Sequence, residues 1–316
     1  MANLKPTKLS PAFKDYLWGG CKLKTEYNKK SDLDIVAESW ELSAHPDGES
    51  VICVGEFDGM SITEYIEKQG KEVLGKNAQK FEYFPILIKF IDAKGDLSVQ
   101  VHPDDKYALE NEGEYGKTEM WYILDCEEGA SLYYGFNRDI TKEEYEEAIK
   151  NNTLTEILNK VPVNKGDVFF IPAGTVHAIG SGIVICEIQQ NSNTTYRVYD
   201  YNRRDKDGNT RPLHIEKAVE VSNLKKSPDL PQIPDCEDVL LAECEYFNVR
   251  RLRVSGEKVI DLGEDSFSSL IITEGSATLS YNGEDMPLAK GDSVFVPAQN
   301  GQITIKGECE IILSRV

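Results

Sequence analysis

KGDVFFIPAGTVHA, residues 165–178, returns further along the chain as KGDSVFVPAQNGQI, residues 290–303. A repeat of this kind indicates one structural unit present twice. Outward from it, FPILIKFI, LSVQVH, MWYIL, GIVICEIQ, FSSLIIT and ATLSY are short runs rich in β-branched and aromatic residues, punctuated by Gly, Asn and Pro. Such runs form strands, so the chain reads as mainly β, a sandwich or barrel. Helices are fewer: Ser61 and Glu64 make a capping box ahead of ITEYIEKQ, TKEEYEEAIKNN near residues 141–152 has helical spacing, and a short helix fits after Pro103. Between the two copies, LKKSPDLPQIPD at 224–235 has the composition of an extended linker. That predicts one domain over residues 1–234 and a second over 235–316. In the second copy Gln302 stands where the first has His177, and residues 235–316 contain no histidine. The second copy is therefore not expected to hold a transition metal.

The chain has 316 residues, with 35 basic against 54 acidic side chains and a formal net charge of −19. That charge repels a phosphodiester backbone or an anionic membrane surface at long range, which excludes nucleic acid and membrane as expected partners. A small anionic substrate remains compatible if a few Lys and Arg residues reverse the potential inside a cleft. Seven scattered cysteines, none spaced C-x-x-C, suggest neither a disulfide framework nor a thiolate metal site. The first residues, MANLKPTKLSPAFKDYLWGG, lack the apolar core of a secretory signal, and FPILIKFI at 84–91 is broken by Lys89 and too short to span a bilayer. A cytoplasmic location is expected.

In LSVQVHP the period of two puts Ser98, Gln100 and His102 on one face of a strand and Val99 and Val101 on the other. Glu119 opens the next strand, TEMWYIL, and His177 follows the strand end of GDVFFIP. An amide oxygen, two imidazoles and a carboxylate form a borderline donor set suited to zinc. Any one of these residues alone is more often a hydrogen-bonded structural residue. Their conjunction on neighbouring strands is what indicates a metal centre.

YLWGG, WELSAHPDGES, FPILIKFIDAKGDLSVQVHPDD, GKTEMWYI, GDVFFIPAGTVHAIG and EIQQNSNTTYRVYDYNR occur in that order, and together they resemble the type I mannose-6-phosphate isomerases of the short bacterial kind. The resemblance implies a double cupin, two jelly-roll β-barrels with a few inserted helices. Residues 1–234 would be the catalytic metal-binding domain and 235–316 a degenerate second cupin. It further implies one Zn2+ per chain held by Gln100, His102, Glu119 and His177, a catalytic Arg197, and interconversion of D-mannose 6-phosphate and D-fructose 6-phosphate through a zinc-stabilised cis-enediol. One departure stands out: many longer members carry His-Lys-Pro-Glu where this chain has Gly116-Lys117-Thr118-Glu119. If that imidazole opens the sugar ring in those relatives, another group does so here, and His45 is the candidate by elimination.

Moving a proton between C1 and C2 needs no redox cofactor, but it develops negative charge on O1 or O2. A Lewis acid with an open position can stabilise that charge. Gln100 is a neutral ligand, so the centre keeps a net positive charge. Arg197, always protonated, is expected to stabilise oxyanion charge or bind phosphate rather than act as a base. Glu187, set among apolar strand residues, is expected to have a raised pKa and to shuttle the proton, with a structural ion pair as the competing role. Lys117 joins this catalytic set. Ser98, Lys89, Trp18 and His45 are the expected substrate-binding residues, and Arg203 and Arg204 are read as decorating a turn. Two other readings compete: a metal-dependent cupin oxygenase using iron, and a cupin that binds a sugar phosphate without turning it over. The sequence does not distinguish a monomer from a homodimer.

Overall fold

The alternation in LSVQVH sets the architecture around the site. The computed structural model describes residues 4–204 and 207–316. They form two compact units, Met1–Tyr16 with Cys21–Phe90 and Gln232–Val316, and Leu17–Gly20 with Ile91–Pro231. The chain leaves the second of these inside the proposed linker at 224–235. The N-terminal residues group with the C-terminal strands and not with residues 91–231. The reason is strand pairing: Thr7–Ser10 runs antiparallel to Ser293–Val296, with Thr7 opposite Phe295 and Leu9 opposite Ser293.

In the unit of residues 91–231, five strands lie in the order Leu158–Pro162, Ser131–Phe136, His177–Ala178, Val99–Val101, Tyr196–Tyr199. One face is apolar. Val99, Val101, Ala178, Tyr196 and Val198 are buried there with Tyr145, Ile149, Ala218 and Val219, contributed by the helices Lys142–Lys150 and Ile215–Val221. The first helix, expected from its spacing, begins at a capping box of Thr141 and Glu144. Burying the valines on that side turns Ser98, Gln100 and His102 to the opposite face. A second antiparallel set, Val168–Ile171, Glu119–Cys126 and Ile183–Gln190, places Glu119 opposite Ile171 and Gln189, and Trp121 opposite Glu187. The Trp121 ring meets the His177 ring edge-on with centroids 5.2 Å apart, so the two sets of strands face one another across the polar residues. A short helix, Asp105–Asn111, follows Pro103 and is capped by Asp104.

In the other unit an eight-stranded sheet includes Asp238–Glu243, Asn248–Leu262, Gly301–Arg315, Ser268–Tyr281, Ser293–Val296 and Thr7–Ser10. Asn248–Leu262 and Gly301–Arg315 pair along their whole length. The core is hydrocarbon: Leu252, Val254, Leu270, Ile272, Val294, Ile303, Ile305 and Ile311 pack together. Helix Ile62–Gln69 carries the Ser61–Glu64 capping box. Among the described residues no helix is long and apolar enough to cross a membrane.

Candidate metal centre

His102, Glu119 and His177 present donor atoms within 4.8 Å of one another, all buried. His177 Nε2 is 3.2 Å and His102 Nε2 3.8 Å from the Glu119 carboxylate. Each imidazole is fixed from behind, His102 Nδ1 lying 2.8 Å from the carbonyl oxygen of Thr194 and His177 Nδ1 2.9 Å from that of Thr175. With Nδ1–H donating to those carbonyls, both Nε2 lone pairs are left to face the carboxylate, the orientation that backbone acceptors give to metal-binding histidines. Burial, reinforced by the nearby Lys117 ammonium, lowers the His177 pKa to about 4. The ring is therefore neutral at physiological pH, as a metal ligand must be. The Gln100 amide lies beside this cluster, its nitrogen 3.4 Å from His177 Nε2. Two imidazoles, one carboxylate and one amide fit a divalent cation of borderline softness.

Local backbone explains how residues so far apart in sequence converge. Gln100 sits opposite His177 on one side and Arg197 on the other. The turn leading to His177 needs Gly174, whose φ is +85° and where a Cβ would stand 2.9 Å from the Val221 carbonyl oxygen. Gly174 N–H donates to the His102 carbonyl at 2.8 Å, tying the two histidine segments together. Glu119 and Lys117 are placed by a small polar net: Gln190 accepts from Thr118 N–H and donates to Asp105, which also accepts from Gly116 N–H.

Lys117 does not reach for solvent. Its ammonium is buried, 2.8 Å from Glu119, 3.2 Å from His102 Nε2 and 3.8 Å from Glu187. Glu187, also buried, accepts a 2.8 Å hydrogen bond from the Trp121 indole. Arg197 donates from Nε to Ser98 Oγ at 3.1 Å and from Nη1 to the Pro212 carbonyl at 3.2 Å. Gln100, His102, Glu119, His177, Lys117, Glu187, Ser98 and Arg197 thus all lie in one unit. Trp18 belongs to the same unit and is buried, its carbonyl accepting from Gly95 N–H. Lys89 and His45 belong to the other unit. Lys89 is buried 3.6 Å from Glu38 and lies over the Trp40 ring. His45 is buried and accepts from Asp47 N–H at 3.1 Å.

Two further findings were not legible in the sequence. Arg203 is more than turn decoration: with Arg211 it grips the buried carboxylate of Asp200, Arg203 Nε at 3.1 Å and Arg211 Nε at 2.7 Å. Burial alone works the other way, yet these hydrogen bonds hold Asp200 below the usual carboxylate range. Two guanidiniums against one carboxylate leave a surplus of positive charge close to Arg197. Gly116 is the second finding. A Cβ there would lie 2.4 Å from the Asp104 carbonyl carbon and 2.5 Å from the Asp105 nitrogen, so the backbone leaves no room for any side chain where longer relatives carry histidine.

A β-unit with buried imidazoles and a carboxylate between its sheets, followed by a copy lacking the histidine, defines a metal-binding double cupin. Residues 7–130 match the model for the catalytic domain of type I phosphomannose isomerase, and residues 238–316 that for the mannose-6-phosphate isomerase cupin domain. The chain is 38% identical to the mannose-6-phosphate isomerase ManA of Bacillus subtilis over 318 residues, 99% of each chain, and 38% identical to that of Streptococcus mutans over 98% of each. It superposes on the crystal structure of the mannose 6-phosphate isomerase from Bacillus subtilis with a TM-score of 0.90 at 37% identity, covering 98% of this chain and 99% of that one. The chain belongs to the type I phosphomannose isomerase family.

Proposed function

We propose that this protein interconverts D-mannose 6-phosphate and D-fructose 6-phosphate in the cytoplasm, with one zinc ion per chain held by Gln100, His102, Glu119 and His177. The observation that carries the reading is the buried His102–Glu119–His177 cluster, with its imidazoles oriented from behind and with Lys117 and Glu187 beside it. When bound there, zinc supplies a Lewis acid for the negative charge that develops on O1 or O2 of a cis-enediol. Glu187 is the residue to take the proton from C2 and return it to C1. Its carboxylate is oriented by the Trp121 indole and shielded from bulk water, which favours transfer without exchange. Lys117 can donate to a sugar hydroxyl or to the developing oxyanion. The Arg197 guanidinium, steadied by Ser98, adds fixed positive charge, and the surplus carried by Arg203 and Arg211 suits the phosphate dianion.

The test is metal analysis joined to an isomerisation assay on mannose 6-phosphate. About one zinc per chain, loss of turnover with chelator and its return on adding zinc are expected. Tight binding of the sugar phosphate without turnover would instead mark a binding protein, and iron with oxygen uptake an oxygenase.

A further inference from the structure

We propose that His214 is a positioning residue for Arg197, clamping its backbone at the open edge of the five-stranded sheet. The inference rests on the reading that Arg197 acts on the substrate. Strand Tyr196–Tyr199 is the last in its sheet, with Val99–Val101 as its one sheet neighbour. In an antiparallel pair a residue's N–H and C=O point to the same side. Both groups of Arg197 go to His214: Arg197 N–H donates to His214 Nδ1 at 3.1 Å, and the Arg197 carbonyl accepts from His214 N–H at 2.8 Å. They therefore face away from Gln100, toward the edge that no strand covers among the described residues.

That edge is where Arg197 is least determined by the sheet itself. The register with Val99–Val101 slips between Arg197 and Tyr199, a bulge of the kind that re-aims a side chain and interrupts the ladder. His214 supplies the two hydrogen bonds a further strand would have made. Pro212, two residues earlier, takes the guanidinium through its carbonyl, so one short segment holds Arg197 at both ends. The segment is anchored in turn, because His214 leads directly into helix Ile215–Val221, whose Ala218 and Val219 are buried with Val99, Val101 and Val198. The Nδ1 acceptor must be unprotonated to serve. Burial first, then the charges of Arg197 and Lys217, lower the pKa of His214, against the opposing pull of Glu112. Nothing in the sequence PLHIEK marks His214.

A double-mutant cycle separates positioning through Arg197 from a general structural role. His214→Phe keeps the ring and removes the acceptor; His214→Asn puts an amide oxygen near the place of Nδ1. Steady-state kinetics on mannose 6-phosphate, with zinc content and thermal midpoint measured on the same samples, should show His214→Phe lowering kcat by about tenfold at unchanged zinc. His214→Asn should recover to within about threefold of the parent. In an Arg197→Ala background, His214→Phe should cost nothing more. If His214→Phe does not fold, His214→Ala in the same two backgrounds reads the same coupling. Equal losses in both backgrounds, or a His214→Phe enzyme as fast as the parent, would overturn the clamp alone. An Arg197→Ala enzyme with unchanged kcat would remove the role of Arg197 and the clamp with it.

Discussion

The two copies of the KGD-to-Pro unit begin alike and end on opposite faces. In the first, strand Val168–Ile171 leads through Pro172 and Gly174 to His177, which is buried facing Gln100 and Glu119 while Ala178 turns into the apolar core under the helices. In the second, strand Ser293–Val296 leads to Gln302, which is exposed and donates to Asp261 at 2.8 Å, while the following residue, Ile303, enters the hydrocarbon core. The alternation is out of phase by one residue, and a slip of one moves every side chain to the other face. The segment between proline and strand differs accordingly: Gly174, which needs φ > 0, is matched by Gln299. The second copy therefore differs from the first by more than one histidine. Beside the exposed Gln302, Ile303 and Ile305 join Leu, Ile and Val residues in an apolar core.

The largest expected effect lies at the polar row. His102→Ala and His177→Ala should each lose the metal and, with it, turnover. Removing even an outer-sphere partner of a metal ligand typically costs about 10- to 100-fold in affinity, and removing a ligand should exceed that. Metal content after gel filtration and the isomerisation assay check this together. Full zinc occupancy in either variant would mean that the buried triad is structural and the contrast between the copies is one of packing alone.

A smaller effect concerns stability in the metal-free protein. His177 has a folded pKa near 4 against about 6.5 for an exposed histidine. Between those values the unfolded chain binds the proton and the folded chain does not, so stability rises with pH there. Expressed the other way, it is fully present above about pH 6.5 and is lost as pH falls toward 4, by up to about 3 kcal/mol for this one group. Denaturant melts in chelator at pH 7 and pH 5 should show the loss in the parent and a smaller one in His177→Gln. The second copy has no histidine and contributes no such term. An identical pH dependence in parent and variant would place the sensitivity elsewhere.

How much of this was written in the sequence depends on how locally each feature is encoded. Ser98, Gln100 and His102 were legible because a strand's period of two and the valines between them leave one arrangement that buries both faces. The capping box at Ser61 was legible for a similar reason, being set within four residues. Arg211 and His214 were not, because their partners Asp200 and Arg197 are reached by a chain that folds back over more than ten residues, and no periodicity records that return. Burial of Lys117 and Lys89 was equally hidden: Glu119 is two residues from Lys117, but Glu187 and Glu38, which also decide between solvent and carboxylate partners, lie on other segments. Gly116 shows the limit most plainly. Its resemblance to a histidine position in longer relatives suggested a missing group, whereas the backbone of Asp104 and Asp105 passes too close for any side chain.

The smallest expected effect is the sharpest test of the phase argument. If the second copy lacked a site only because one residue had changed, Gln302→His would begin to restore it. The side chain at 302 instead points outward beside Asp261, and its neighbours Ile303 and Ile305 pack in the apolar core. The new imidazole would have water on one side and a single exposed aspartate on the other, too few ligands for tight binding. Stability should move by less than about 0.5 kcal/mol, as for an ordinary surface substitution, and zinc should stay at the parent stoichiometry. Calorimetric titration of zinc into the metal-free variant reads this directly. A second tight equivalent appearing in Gln302→His would show that the two copies share one phase and that a single histidine divides them.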